Sequence, residues 1–305
     1  MRIRVLGSSA GGGFPQWNCN CPNCDGLRRG SISAQARTQS SIAITVGGTD
    51  WLLVNASPDV LTQIRATPEL QPARAQRDSG IAAVLLMDAQ IDHVTGLLML
   101  RERQSPLPLL ATPEVLGDLT EGFPITRILS HYCGVTPTPL RLDGEFMPVP
   151  GLPGMAIRPV LLSSKPPPYS PFRNCPRPGD NMGLLIDNPA TGQRVFYAPG
   201  LGEMTPELLA LMAGCSVVLV DGTFWTEDEM QRLGLSKKSA ADMGHLPQSG
   251  AQGMVAQLDT LPAAIRKILI HINNTNPILR EDSPERALLS AHGIEVAFDG
   301  MDIVF

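Results

Sequence analysis

Charged side chains are scarce in this sequence, 17% of its 305 residues, and nowhere does an apolar run approach the ~20 residues that cross a bilayer. Basic runs are lacking too, as is any interleaving of basic with aromatic residues. With a formal net charge of -5, binding nucleic acid by neutralising its phosphates is excluded. The first residues, Arg2-Ile3-Arg4-Val5-Leu6-Gly7, already read as a strand, where a secretory leader would show an apolar core. A cytoplasmic protein with no direct membrane insertion is the expectation. Low charge does not mean disorder here, because a hydrophobic fraction of 43% supplies a large core. The organisation expected is a single domain over residues 1–305.

The chain is organised around residues 82–98. An apolar run from Ala82 to Met87 stops at Asp88, a polar turn carries Asp92-His93, and a helical pattern follows from Gly96 to Arg103. Strand ends are rigid and the loops beyond them are accessible, which is where α/β proteins carry their chemistry. Asp92 and His93 are therefore candidate site residues; the competing roles are a helix cap for Asp92 and packing for His93. Nearer the N-terminus, the glycines from Gly7 to Gly13 are followed by no Gly-Lys-Ser/Thr, so they predict a tight loop rather than a phosphate cradle. Cys19-Asn20-Cys21-Pro22-Asn23-Cys24 carries more information. Three thiolates separated by turn-forming residues can converge on one tetrahedral ion, and Zn(II) suits sulfur. An odd number of cysteines in a reducing compartment argues against disulfides. A fourth ligand has to come from elsewhere, and Cys133, Cys175 and Cys215 are isolated.

Ser40–Val46 and Trp51–Ala56 flank Gly47-Gly48 and predict a hairpin. Asn55, Ser57 and Asp59 then predict a cap for the helix beginning near Pro58. Short helices are expected over Pro113–Leu119 and Thr126–His131, with His131 structural. In the second half, strands are expected at Met155–Leu162, Met182–Ile186 and Arg194–Ala198. The long polar loop Ser163–Asp180 between the first two brings Lys165, Arg173 and Arg177. Such loops are commonly lids or substrate contacts, and these cations suit a carboxylate-bearing ligand. Further candidates stand at segment ends: Asp221 closes the apolar run Val217–Val220, His245 precedes a helix, and His271 ends the run Lys267–Ile270.

Periodicity alone gives α/β or α+β. The combination of Asn18–Cys24, Asn55-Ala56-Ser57-Pro58-Asp59, Gln90-Ile91-Asp92-His93, Tyr197-Ala198-Pro199-Gly200, Asp221-Gly222-Thr223-Phe224-Trp225, Gly244-His245-Leu246-Pro247 and His271-Ile272-Asn273-Asn274-Thr275-Asn276-Pro277 resembles the coenzyme PQQ synthesis protein B family of bacteria. That family is a branch of the metallo-β-lactamase fold. The resemblance implies an αββα sandwich of two packed sheets with outer helices, and a place in the biosynthesis of pyrroloquinoline quinone (PQQ), a redox cofactor made from Glu and Tyr side chains of a peptide.

Hydrolases of the same fold carry His-x-His-x-Asp-His after the corresponding strand. Here Asp88 and Gln90 occupy the first two histidine positions, Gly200 replaces a bridging aspartate, and no histidine lies between Ser163 and Ser170. By that comparison one hydrolase metal site is lost while Asp92, His93 and His271 remain. Two histidines and one carboxylate suit mononuclear non-haem Fe(II). The resemblance thus implies an oxygenase acting on a Glu-Tyr-derived precursor rather than a two-metal hydrolase, with Asp221 and His245 ligating or orienting ligands. It also implies Asn274 as the fourth zinc ligand beside Cys19, Cys21 and Cys24, since related hydrolases carry a histidine at that position. The implied partner is PQQ or its small-molecule precursor, and a homodimer is left open. The competing reading is a carrier of PQQ or its precursor that assists transport to the periplasm, which needs a pocket but no redox metal.

Overall fold

The computed structural model describes residues 1–163 and 165–305, which form two compact units, each assembled from separated segments. The first comprises Met1–Gly7, Ser40–Gln193 and Gly300–Phe305; the second comprises Ser8–Gln39 and Arg194–Asp299.

In the first unit the strands are β1 (Arg2–Gly7), β2 (Ser41–Thr45), β3 (Trp51–Val54), β4 (Ile81–Leu85), β5 (Leu107–Ala111), β6 (Val135–Pro139), β7 (Met147–Val149), β8 (Leu152–Leu161), β9 (Met182–Asn188) and the last strand, β14 (Asp302–Val304). Seven of them form a sheet in the order β14-β1-β2-β3-β4-β5-β6. The expected hairpin is present, β2 pairing antiparallel with β3 through Ile42–Val54, whereas β3, β4, β5 and β6 run parallel. Strand β6 carries Pro137 and Pro139, which a sheet tolerates at its edge because proline donates no ladder hydrogen bond. Trp51, Leu53, Val84, Leu86, Leu97 and Leu109 belong to the apolar core of this unit. Antiparallel pairing joins β7 to β8 and β8 to β9. The second unit contains β10 (Gln193–Ala198), β11 (Val217–Asp221), β12 (Arg266–Ile270) and β13 (Ile294–Val296), paired parallel in that order.

Parallel pairing places successive strand ends side by side. Asn55 follows β3 while Met87 and Asp88 follow the neighbouring β4, and Asn55 adopts a left-handed φ of 61°. Asparagine tolerates that conformation better than most residues, and here its Oδ1 accepts the Met87 N–H at 3.0 Å. Asn55 is therefore a brace between two strand ends rather than the expected helix cap. Ser57 partly takes the capping role, its Oγ accepting the Asp59 N–H at 3.2 Å.

The helix after β4 begins at Ile91, five residues before the expected start, and passes into a 3-10 turn over Thr95–Leu100. Asp92 lies inside its first turn, and the N-cap position falls to Gln90, whose side chain makes no cap hydrogen bond. Asp88 stabilises the turn instead, accepting the Gln90 N–H at 2.9 Å. Two backbone bonds then seat the helix on the Asn55 loop: Ala56 N–H to His93 O at 2.7 Å, and Gly96 N–H to Ala56 O at 2.9 Å. A Cβ on Gly96 would collide with the Ser57 and Ala56 carbonyl oxygens.

Both neighbours are backbone atoms and cannot rotate aside, so Gly96→Ala is expected to lower unfolding stability by about 1–3 kcal/mol. Gly117 is helical with nothing within 4 Å of an added Cβ, so Gly117→Ala is the matched control, neutral or slightly stabilising. Urea denaturation of the two variants measures the difference; equal midpoints would remove this account of how His93 is seated.

Candidate metal centres

His93 is buried in the first unit, and its Nδ1 faces the Asp88 carboxylate at 2.8 and 3.0 Å. Asp92 Oδ2 lies 3.7 Å from Nε2 of the same ring. Burial disfavours the charged ring, but the carboxylates of Asp88 and Asp92 outweigh it and push the His93 pKa up to about 9. A ring whose Nδ1–H is given to a carboxylate presents Nε2 as its coordinating atom, the arrangement found around metal-bound histidines. Asp88, which stands where the hydrolase pattern has a histidine, here fixes the His93 ring. The long loop reaches the same stretch: Tyr169 Oη–H donates to Ala89 O, and Asn181 bridges to Asp88.

In the second unit Asp221 is opposite Ile270 in the β11–β12 ladder, so Asp221 and His271 occupy neighbouring strand ends. His271 adopts φ 62°, a left-handed conformation that turns the chain sharply out of β12. Asp221 is fully buried and accepts three hydrogen bonds: Leu201 N–H at 2.8 Å, Thr223 N–H at 2.8 Å and His245 Nδ1 at 2.6 Å. Burial works against its charge, yet His245 and these bonds hold the carboxyl below its ordinary value. The rings of His245 and His271 stack with centroids 5.5 Å apart, and Phe224 meets His245 edge-on at 5.7 Å. The Thr223 hydroxyl contacts Nδ1 of His245 at 3.1 Å and Nδ1 of His271 at 2.9 Å. Ligand atoms of Asp221, His245 and His271 lie within 4.8 Å of one another. One of the three donors on the Asp221 oxygens is the His245 ring, so the carboxylate holds that imidazole in place.

The sulfurs of Cys19, Cys21 and Cys24 also lie within 4.8 Å of one another, all three residues being buried. Pro22 opens a helix, Pro22–Arg29, that carries Cys24, so helix and preceding loop supply the sulfurs together. The Asn274 side-chain amide points into the cluster, with Nδ2 at 3.1 Å from Cys19 Sγ, 3.5 Å from Cys21 Sγ and 3.3 Å from Cys24 Sγ. A half-turn of that amide presents its oxygen instead. Asn23 holds the Asn274 loop in place by donating to the Asn274 and Asn276 carbonyls at 3.2 and 2.9 Å. Burial, with the neighbouring Cys24 thiol, pushes Cys21 up to about 12. Thiols packed this closely ionise readily only around a cation, so the donor set fits a thiophilic metal.

The loop cations are placed differently from a carboxylate clamp. Lys165 is exposed, while Arg173 donates to Pro166 O. Arg177 pairs with Asp180 at 2.8 Å and Asp118 at 3.4 Å, with its guanidinium 3.8 Å over the Phe172 ring. Its charge is paired inside this unit, with Asp180 and Asp118. Sequence reasoning gave no role to Thr223 and read Asp88 only as a lost ligand; their place two or three residues past a strand end was the available signal.

Asp221→Asn would set an amide N–H against inward-pointing donors. A loss of about 1–3 kcal/mol is expected, together with mixed tautomers at His245. Thermal unfolding and histidine 15N spectra test this, and unchanged His245 signals would contradict the orienting role.

Residues 50–272 match the β-lactamase superfamily domain. The chain is 64% identical over 301 residues to coenzyme PQQ synthesis protein B of Cupriavidus necator, covering 99% of this chain and 98% of the relative. It is 57% identical over 305 residues to the protein of that name from Methylobacillus flagellatus, covering 100% of both. Among solved structures, Zn(2+)-bound PqqB from Methylobacterium extorquens superposes with a TM-score of 0.90 at 37% identity, covering 100% of both chains. The fold is therefore the α/β metallo-β-lactamase fold implied by the sequence motifs. By full-length identity and by fold, this chain belongs to the coenzyme PQQ synthesis protein B family within the β-lactamase superfamily.

Proposed function

We propose that the chain acts in PQQ biosynthesis as a metal-dependent oxygenase of a Glu-Tyr-derived precursor, with Asp92, His93 and His271 holding one divalent ion, Fe(II), and Asp221 and His245 ligating it or orienting its ligands. One observation supports this reading above the others: His93, His245 and His271 each have Nδ1 against an oxygen acceptor of the same unit, Asp88, Asp221 or Thr223. Imidazoles fixed in this way are prepared as Nε2 donors, whereas histidines serving only as packing have no need of a common orientation. Two histidines and a carboxylate with open positions would let a bound Fe(II) supply dioxygen activation. The chain's own groups would hold and orient the ion, and the Tyr169 loop, tied to Ala89, would shape access for a precursor bearing carboxylates, with Lys165 and Arg173 as its contacts.

A separate zinc ion is proposed at Cys19, Cys21 and Cys24, with Asn274 completing the set, supported by the sulfur cluster and by the zinc-bound relative. Its role would be structural. Among the described residues no helix is long and apolar enough to cross a membrane, so a carrier role would need a separate translocating partner.

Metal analysis after purification tests the zinc assignment: Cys21→Ser is expected to lose one zinc equivalent and to melt at lower temperature, and undiminished zinc would refute it. For the second centre, anaerobic Fe(II) reconstitution followed by oxygen uptake with a crosslinked Glu-Tyr substrate is decisive. Turnover is expected in the unmodified protein and a loss of at least ~100-fold in His93→Ala and His271→Ala, which should keep the cysteine-bound zinc. Tight binding of PQQ or precursor with no oxygen uptake would overturn the oxygenase reading in favour of the carrier.

A further inference from the structure

We propose that the Thr223 hydroxyl fixes the orientation and the hydrogen placement of His245 and His271 together, as a positioning residue shared by two imidazoles. The functional consequence rests on the metal reading above; the hydrogen-bond argument does not.

Thr223 Oγ1 has three neighbours at bonding distance: the His271 carbonyl oxygen at 2.9 Å, His271 Nδ1 at 2.9 Å and His245 Nδ1 at 3.1 Å. A hydroxyl carries one hydrogen and two lone pairs. The carbonyl oxygen can only accept, so the single hydroxyl hydrogen goes to it. Both remaining contacts must then be received by the lone pairs, and each Nδ1 must bring its own hydrogen. In a neutral imidazole this leaves the Nε2 lone pair for a ligand bond. One proton donated to the His271 main chain thereby determines the tautomer of the His271 ring and reinforces that of His245, whose Nδ1 also faces Asp221 Oδ2.

The hydroxyl can do this because the surrounding atoms leave it little freedom. Thr223 is buried, its N–H donates to Asp221 Oδ1 at 2.8 Å, and its carbonyl accepts from Asn273 N–H at 3.1 Å and Asn276 Nδ2 at 3.2 Å. The β-branched side chain has restricted χ1 freedom. On the other side, the His271 φ of 62° brings its own carbonyl and ring to the same hydroxyl. His245 has a second acceptor in Asp221 Oδ2 at 2.6 Å, so the two rings should respond unequally to loss of the hydroxyl.

The test uses full-length protein carrying only the cysteine-bound ion, with 15N-labelled histidine, read by long-range 1H–15N NMR, and compares Thr223→Val with Thr223→Ser. The unmodified protein is expected to show hydrogen on Nδ1 of both rings. In Thr223→Val the His271 ring should redistribute towards the Nε2–H tautomer, with a smaller change at His245; Thr223→Ser should restore the original pattern. A Zn(II) titration of the same proteins should show second-site affinity reduced about 10–100-fold in the valine variant and recovered in the serine variant. If the valine variant does not fold, Thr223→Ala replaces it, since it removes the hydroxyl with less bulk. Unchanged tautomers in the valine or alanine variant would overturn the proposal, as would serine and valine variants disturbed alike, which would mean that Thr223 acts by packing. If the tautomers shift as expected while the unmodified protein takes up no ion beyond the cysteine-bound equivalent, the positioning role stands and the metal reading falls.

Discussion

Burial of polar groups at the ends of parallel strands is the constraint on which the rest of this structure depends. A carboxylate or imidazole removed from water has to be hydrogen-bonded or paired, because leaving it unsatisfied costs several kcal/mol. Asp221, buried completely, meets that requirement with two backbone N–H groups and His245 Nδ1. Asp88 meets it with Gln90 N–H and His93 Nδ1. In both cases satisfying the acid also directs a histidine, so stability and site geometry come from the same bonds.

The two units use the same device. In each, two adjacent parallel strands end side by side, one followed by a residue with left-handed φ and the other ending at or near an acid: Asn55 and Asp88 in the first, His271 and Asp221 in the second. The left-handed residue breaks the strand abruptly, and the acid collects the donors that the break exposes. What differs is the residue at the break. Asparagine uses its side chain on the Met87 N–H, whereas histidine at the equivalent place has its ring held against the Thr223 hydroxyl. The segment leaving His271 continues into Asn274 at the cysteine cluster and Asn276, whose amide donates to the Gly222 and Thr223 carbonyls. Six residues thus connect the sulfur cluster to the histidine pair through bonds within one unit.

Much of the fold was legible in the sequence. Strands β1, β4, β11 and β12 announce themselves as short apolar runs stopped by polar residues, and Gly47-Gly48 marks the hairpin between β2 and β3. The sulfur cluster was legible as well, because its spacing is local: a short loop carrying Cys19 and Cys21 and the first helical turn after it, carrying Cys24, bring the sulfurs together. Less legible were the helix over Ile91–Val94, masked by its polar composition, and the role of Asn55, whose capping side chain is used on a neighbouring strand.

The sequence by itself determined which residue types stand at strand ends, because the period of the apolar runs is a local property, and it placed the chain in its family through motifs spread over its length. Tertiary structure decided what each of those residues does. Asp221 and Asp88 look alike in sequence, as acids after a buried strand; only the three-dimensional placement of Leu201 N–H, Thr223 N–H and the two Nδ1 atoms sets a histidine ring against each of them. The pairing of Arg177 with Asp118, 59 residues away, is likewise a product of the tertiary structure. Hydrogen bonds between residues distant in the chain fix direction and tautomer, and neither property is carried by composition or spacing.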